Sequence, residues 1–248
     1  MRLARIATPD GPRPVVERDG RWLGVVDLFD SPLEPTGESY PLEGAELLAP
    51  VEPLVVLGMA HNSGPADRAL PASAFMKSAR TVVGPGDPIV LDADAGRLKG
   101  ECELTIVVGR ECRKVTAEEA EEYILGWTVG NDVTAPDGIA SDEKMISSKS
   151  GDGFTPIGPW VETELDALDV ALVATVNGRE AASSSSAALA WNPFEVLAYA
   201  SAHMTLGPGD IILTGAPGTG FDVVVGDECG CEVAGIGFLG NPVVALDA

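Results

Sequence analysis

The chain has 248 residues, 45% hydrophobic and 22% charged, enough to bury one sizeable core, with no run approaching the roughly 18 apolar residues of a membrane span. Its 38 acidic against 16 basic residues give a formal charge of −22, which argues against non-specific attraction to nucleic acid or to an anionic membrane. The start, MRLARIATPDG, carries two arginines but no apolar h-region and no small-residue cleavage site, so a soluble, cytoplasmic protein is expected.

In VVERDGRWLGVVDL, Asp19-Gly20 separates two apolar runs, the strongest short signal for a hairpin, and the first fifty residues read as a small β unit. Pro32, Pro35, Pro41, Pro50 and Pro53 then punctuate the path into VVLGM. They divide the chain into a 1–50 N-terminal β domain and a 51–248 domain. Beyond the boundary short strands alternate with turn signals, which predicts a mixed α/β fold dominated by strand. GPGDPIVL at 84–91 and GPGDIIL at 207–213 are two versions of one Pro-Gly turn feeding an apolar strand. One helix is expected from Thr116, capped by its hydroxyl with Glu119 reaching back. Another is expected from Asn192, with Pro193 at the first helical position and Glu195 closing a similar box. The intervening SSSSAALAW at 183–191 reads as a mobile loop. Cys102, Cys112, Cys229 and Cys231 are too few and too irregular for a disulfide framework, and Cys229-Gly-Cys231 lacks the second ligand pair of a zinc site, so all four are expected as reduced thiols.

The segment GECELTIVVGR is apolar and β-branched enough to form a strand, whose period of two puts Glu101 and Glu103 on one face and Cys102 on the other. Facing solvent, such a pair means nothing. Facing a core, the two carboxylates repel and lose solvation unless a cation or a basic partner lies between them. ILGWTVGNDVTAPD reads as another buried strand ending in Asn131-Asp132, where an acid is otherwise unwelcome. Glu101, Glu103 and Asp132, with neither His nor Cys among them, form an oxygen-ligand set. That set suits Mg²⁺ or Mn²⁺, with Ca²⁺ also compatible, and argues against Zn²⁺ and copper.

Taken in order, FMKSARTVVGPGDPIVL, GECELTIVVGR, YILGWTVGNDVTAPD, KSGDGFTPIGPWV, TVNGRE, MTLGPGDIILTGAPGTG and IGFLGNPVV resemble the fumarylacetoacetate hydrolase family over roughly residues 50 to 245. The resemblance implies a β-roll-like catalytic domain behind a small N-terminal domain, usually a homodimer. It also implies a metal held by Glu101, Glu103 and Asp132, and a small anionic 2-oxo acid or 1,3-dicarbonyl substrate. Lys149 matches a family lysine that faces the site and neutralises charge developing on the substrate. Lys77, in FMKS, matches another, and Gly215 lies in the turn GAPG; both are candidates for substrate binding.

Three departures bear on the reaction. Where the family usually reads Gly-Leu-Asn-Tyr followed by a His and then a Glu that activate water, this sequence reads GMAHNSGPAD. His61 stands in place of the Tyr and Gly64 in place of the His, and no acid follows until Asp67. His61 is the candidate general base if the loop is shorter. Ala216 stands where a Thr is common, and Pro136 where an Arg is common. His203, near the end of the second helix, reads as structural, since a helix C-terminus favours a cation. GAPGTG lacks the Lys-Ser ending of a phosphate loop. The expected activity is metal-dependent hydrolysis of a carbon–carbon bond in an acylpyruvate or fumarylacetoacetate-type acid, through an enolate. Oxaloacetate-type decarboxylation, tautomerisation or isomerisation, or a catalytically idle relative, are the alternatives.

Overall fold

The computed structural model describes residues 1–91, 97–137 and 142–246. Four N-terminal strands, β1 (Arg2–Ile6), β2 (Arg13–Arg18), β3 (Arg21–Val25) and β4 (Pro35–Pro41), form a meander. The β2–β3 turn is the expected Asp-Gly hairpin: Asp19 and Gly20 have φ of 52° and 73°, the left-handed values that let a two-residue turn follow the strand twist. Ala4, Ile6, Val15 and Trp22 close a small core under it, against Trp160 from the larger part of the chain.

Next in the chain come β5 (Val56–Ala60), β6 (Ser73–Lys77), β7 (Val82–Val83), β8 (Ile89–Leu91), β9 (Leu98–Val108) and β10 (Ile124–Asn131). A one-turn helix α1 (Ile146–Lys149) precedes β11 (Thr155–Glu162), β12 (Ala171–Val176) and β13 (Arg179–Ser185). Helix α2 (Pro193–His203) leads to β14 (Ile211–Leu213), β15 (Gly220–Val223), β16 (Glu228–Val233) and β17 (Gly237–Ala245). The larger sheet has twelve strands, ordered β4-β3-β2-β1-β11-β10-β9-β14-β5-β6, with β15 added on β9 and β7 on β11. Because β1 pairs with β11 through Leu3↔Val161, the proline-marked boundary near residue 50 does not interrupt this sheet. The second sheet, β13-β12-β16-β17-β8, contributes Leu172, Ala174, Cys229, Cys231 and Leu239 to the same core as Leu104, Ile106 and Val108 of β9.

Both Pro-Gly turns use one device, an aspartate that accepts the N–H of the glycine three residues earlier: Asp87 from Gly84 at 2.8 Å and Asp210 from Gly207 at 2.7 Å. Helix α2 has its capping box, with Asn192 Oδ1 accepting from the N–H groups of Phe194 and Glu195, and Glu195 accepting from Asn192 N–H. His203 ends that helix with its ring 4.9 Å from that of Tyr199. All four cysteines are free and buried.

Two expected elements differ. No α-helix starts at Thr116: the Glu119 carboxylate accepts from both the N–H and the hydroxyl of Thr116, closing a tight turn. Only a 3₁₀ turn, Ala120–Tyr123, fits before the chain enters β10 at Ile124. The serine run is not a loop either. Ser183 to Ser185 finish β13 against β12, and Ser186 is buried, its hydroxyl donating to Ala167 O at 2.8 Å. Serine hydroxyls that close a strand end from within are indistinguishable, by composition, from those of a solvated linker. Among the described residues no helix is long and apolar enough to cross a membrane.

Candidate metal centre

Strands β9, β10 and β15 place the acids in rungs. The β9–β10 ladder sets Glu103 opposite Gly130 and Cys102 opposite Asn131, and Asp132 donates its N–H to Glu101 O at 3.0 Å, which brings Asp132 beside Glu101. On the other flank Gly220 of β15 lies opposite Glu101. Cross-strand neighbours share a face, so Glu101, Glu103 and Asp132 converge. One oxygen from each of the three carboxylates lies within 4.8 Å of the other two. Cys102, on the opposite face as expected, donates to Val173 O and Glu232 O of the second sheet.

The backbone braces this arrangement. Glu103 Oε2 accepts the N–H of Gly215 at 2.6 Å, and Glu101 N–H donates to Asn131 Oδ1 at 3.0 Å. Gly215 has φ of 111°, and a Cβ there would come 2.4 Å from Asn62 O, so the turn admits only glycine. Asn62 is itself buried and ties three strands of chain together, donating to Trp191 O and Thr214 O and accepting from Trp191 N–H.

Two lysines meet Asp132. Lys77, at the end of β6, ion-pairs with Asp132 Oδ1 and donates to Val133 O at 3.1 Å and Phe154 O at 2.7 Å. Its ammonium group has three protons and all three are used, and its side chain is 0% exposed, so here it holds Asp132 in place. Lys149, the last residue of α1, pairs with Asp132 Oδ2 and lies 3.4 Å from Glu101 Oε2, with its Nζ 4.6 Å from the centre of the Phe75 ring. The short helix carrying it is anchored by Asp142, whose carboxylate accepts from the N–H groups of Ile146 and Ser148 and from the hydroxyls of Ser147 and Ser148.

Burial pushes Glu103 well above the ordinary carboxylate range, and the charges of Asp132 and Glu101 push it further. Burial acts in the same direction on Asp132, but Lys77 and Lys149 outweigh it and hold this carboxyl below its usual value. Burial also lowers Lys77, whereas for Lys149 the pull of Asp132 and Glu101 exceeds the desolvation and raises it. A buried carboxylate that its neighbours repel is one that a cation could stabilise. An all-oxygen donor set of this size fits a hard divalent ion such as Mg²⁺, Mn²⁺ or Ca²⁺. Asp132 remains able to bind one, since a carboxylate has about four lone-pair sites and the lysines occupy two.

A family model described as "Fumarylacetoacetate (FAA) hydrolase C-terminal" matches residues 49–244, and one described as "Rv2993c-like, N-terminal" matches residues 1–50. The chain belongs to the fumarylacetoacetate hydrolase family. Protein Rv2993c of Mycobacterium tuberculosis is 36% identical over 265 residues, covering 98% of both chains. Oxaloacetate tautomerase fahd2, mitochondrial, of Xenopus laevis is 30% identical over 217 residues, covering 80% of this chain and 68% of that one. Among solved structures, 5-carboxymethyl-2-hydroxymuconate delta-isomerase from Mycobacterium smegmatis superposes with a TM-score of 0.93 at 40% identity, over 99% of this chain and 100% of the other. Maleylpyruvate hydrolase from Sphingobium sp. SYK-6, in complex with manganese(II) ion and pyruvate, does so with 0.83 at 26% identity, over the whole of both chains. The β-dominated family fold implied by the motifs is the fold observed, and relatives with named activities are enzymes.

The family's usual water-activating segment takes a different form here. His61 sits in a turn at φ of 57°, exposed, and among the described residues it makes no hydrogen bond to the three carboxylates. Asp67 is engaged as a turn acid, accepting Ser63 N–H at 2.8 Å. The segment is pinned by Arg68, which forms a two-point pair with Glu195 and stacks 3.9 Å over Trp191. Lys99 escaped the sequence reading although its spacing, Lys-x-Glu-x-Glu, puts it on the acidic face; its Nζ lies 2.8 Å from Glu101 Oε1. Asn62 left no such signal, since it acts through backbone groups distant in sequence, and Asp142, whose partners Ile146, Ser147 and Ser148 lie four to six residues on, was not singled out.

Proposed function

We propose that this chain is a divalent-metal-dependent enzyme acting on a small anionic 2-oxo acid, and that its reaction is enolisation or a step that follows from it: tautomerisation, isomerisation or decarboxylation. The observation that carries this reading is the convergence of Glu101, Glu103 and Asp132 around a space that Lys149 overlooks. Glu101, Glu103 and Asp132 would hold the divalent cation, which would supply Lewis-acid chemistry to a substrate carbonyl and so ease loss of a proton or carbon dioxide from the neighbouring carbon. Lys149, whose ammonium pairs with Asp132 and lies by Glu101, is placed to stabilise negative charge as it develops on the substrate. Lys77 keeps Asp132 ionised and aimed, and Gly215 N–H fixes Glu103. The relatives' names support enolate chemistry from two sides, a tautomerase and an isomerase.

Carbon–carbon hydrolysis is the second reading, supported by the maleylpyruvate hydrolase neighbour. It needs a base to activate water, a role worth on the order of 10²–10⁴-fold. His61 is the candidate for it, and its exposed position outside the carboxylate cluster is what places hydrolysis second. The experiment is one assay series with Mg²⁺: oxaloacetate, followed for enol–keto exchange and for carbon dioxide, and an acylpyruvate, followed for cleavage, with the parent and His61→Ala. Metal-dependent turnover of oxaloacetate that survives His61→Ala supports the first reading. Cleavage of the acylpyruvate that His61→Ala abolishes establishes the second, and inactivity on both with Mg²⁺ or Mn²⁺ rejects the enzyme reading. The resemblance also implies a homodimer, which sedimentation at micromolar concentration checks.

A further inference from the structure

The acidic face of β9 is graded. Along it the Lys99 side chain is 43% exposed, that of Glu101 16%, and Glu103 is buried, so Lys99 stands at the mouth and Glu103 on the floor. Lys99 and Thr134 exchange both backbone hydrogen bonds, at 2.8 and 2.9 Å, which makes them cross-strand partners with side chains on the same face as the acids. The Thr134 hydroxyl is buried and, among the described residues, has no hydrogen-bond partner. Across the other flank, a Cβ at Gly220 would lie 2.7 Å from Lys99 Cε; glycine there is what lets the lysine stem lie over β15 and turn inward. The neighbouring cation, Arg97, is committed outward to Asp222 and Asp137.

The charges at the site show what Lys99 is for. Three carboxylates face three ammonium groups, Lys77, Lys149 and Lys99, so the formal charges sum to zero, although the lysines pair with Asp132 and Glu101 and leave Glu103 to a backbone N–H. With a divalent cation held by the acids, the site carries an excess of two positive charges. A monocarboxylate cancels one and a dicarboxylate cancels both. Lys77 and Lys149 are fixed by burial and ion pairing, whereas Lys99 has a long, flexible, partly exposed stem and, among the described residues, pairs with Glu101 alone. We propose that Lys99, at the mouth of the site, is the specificity-determining residue that holds a second carboxylate, so that the site selects dicarboxylic over monocarboxylic 2-oxo acids. This rests on the reading of the centre as a metal site for 2-oxo acids.

The test is calorimetric, with Mn²⁺-loaded protein titrated with 2-oxoglutarate and with 2-oxopentanoate, which differ at the terminal carboxylate. The parent is expected to bind the dicarboxylate about tenfold more tightly, the worth of one charged hydrogen bond in a partly exposed site. Lys99→Met is expected to bring the two affinities together, and Lys99→Arg to restore most of the difference. Mn²⁺ titration of each variant before ligand addition checks that the fold and the acids are intact. Equal affinity of the parent for both acids, or a preference that Lys99→Met leaves in place, overturns the role of Lys99 while the site reading stands. Failure of both acids to bind the Mn²⁺-loaded parent overturns the site reading and this inference with it.

Discussion

Cys102 and Glu103, on opposite faces of β9, are both buried, and the two faces answer burial differently. On one, Cys102 lies against the second sheet with Cys231 and Cys229, where burial pushes the Cys229 thiol up to about 12 and raises Cys231 as well, so both stay neutral. On the other, Glu101, Glu103 and Asp132 are drawn together and only partly neutralised, because Lys77 and Lys149 both address Asp132 while Glu103 receives a single backbone N–H. Thiols can stay neutral and pack like small apolar groups. Carboxylates crowded in this way need a counter-charge. One strand thus serves as core on one side and as ligand set on the other, and the contrast shows that burial alone does not make a site; burial without full compensation does.

The most damaging way to break that contrast is to remove the buried ammonium that fixes Asp132. Lys77→Met is expected to destabilise the metal-free protein by about 3–5 kcal/mol, since removing one partner of a buried ion pair strands the other. Urea unfolding measures it, and a loss below about 1 kcal/mol would show that Lys149 alone suffices. On the dry face, Cys231→Ser replaces a thiol by a hydroxyl with stronger hydrogen-bonding needs and is expected to cost about 1–3 kcal/mol in the same experiment, without changing Mn²⁺ affinity.

The smallest effect concerns Asp142. The backbone N–H of Ser148, with the hydroxyls of Ser148 and Ser147 and the N–H of Ile146, holds its carboxyl down to about 2. A carboxyl depressed in the folded state contributes stability that is fully present above the ordinary aspartate range and is lost as pH falls through about 2. Thermal midpoints of the parent and Asp142→Asn are therefore expected to differ slightly at pH 7 and to converge as pH approaches 2. A constant gap across that range would mean that the charge of Asp142 does not hold α1.

Much of this site is written in local sequence. A period of two put Glu101 and Glu103 together, an acid at the end of an apolar strand marked Asp132, and Asn192-Pro-x-Glu195 specified a capped helix. What could not be read depends on distance in the fold. Nothing near Lys77 in sequence says that its ammonium meets Phe154 O, and nothing near Gly215 says that its N–H meets Glu103. The helix expected from Thr116 failed because the same Thr–Glu pairing that opens a helix also closes an isolated turn. The serine run failed because strand edges and linkers share its composition.

The central claim is that Glu101, Glu103 and Asp132 hold one divalent cation, and calorimetric titration with Mn²⁺ tests it most directly. The account predicts one Mn²⁺ per chain for the parent and at least tenfold weaker binding in each of Glu101→Gln, Glu103→Gln and Asp132→Asn, with the fold preserved by circular dichroism. Affinity equal to that of the parent in any two of the three would contradict it.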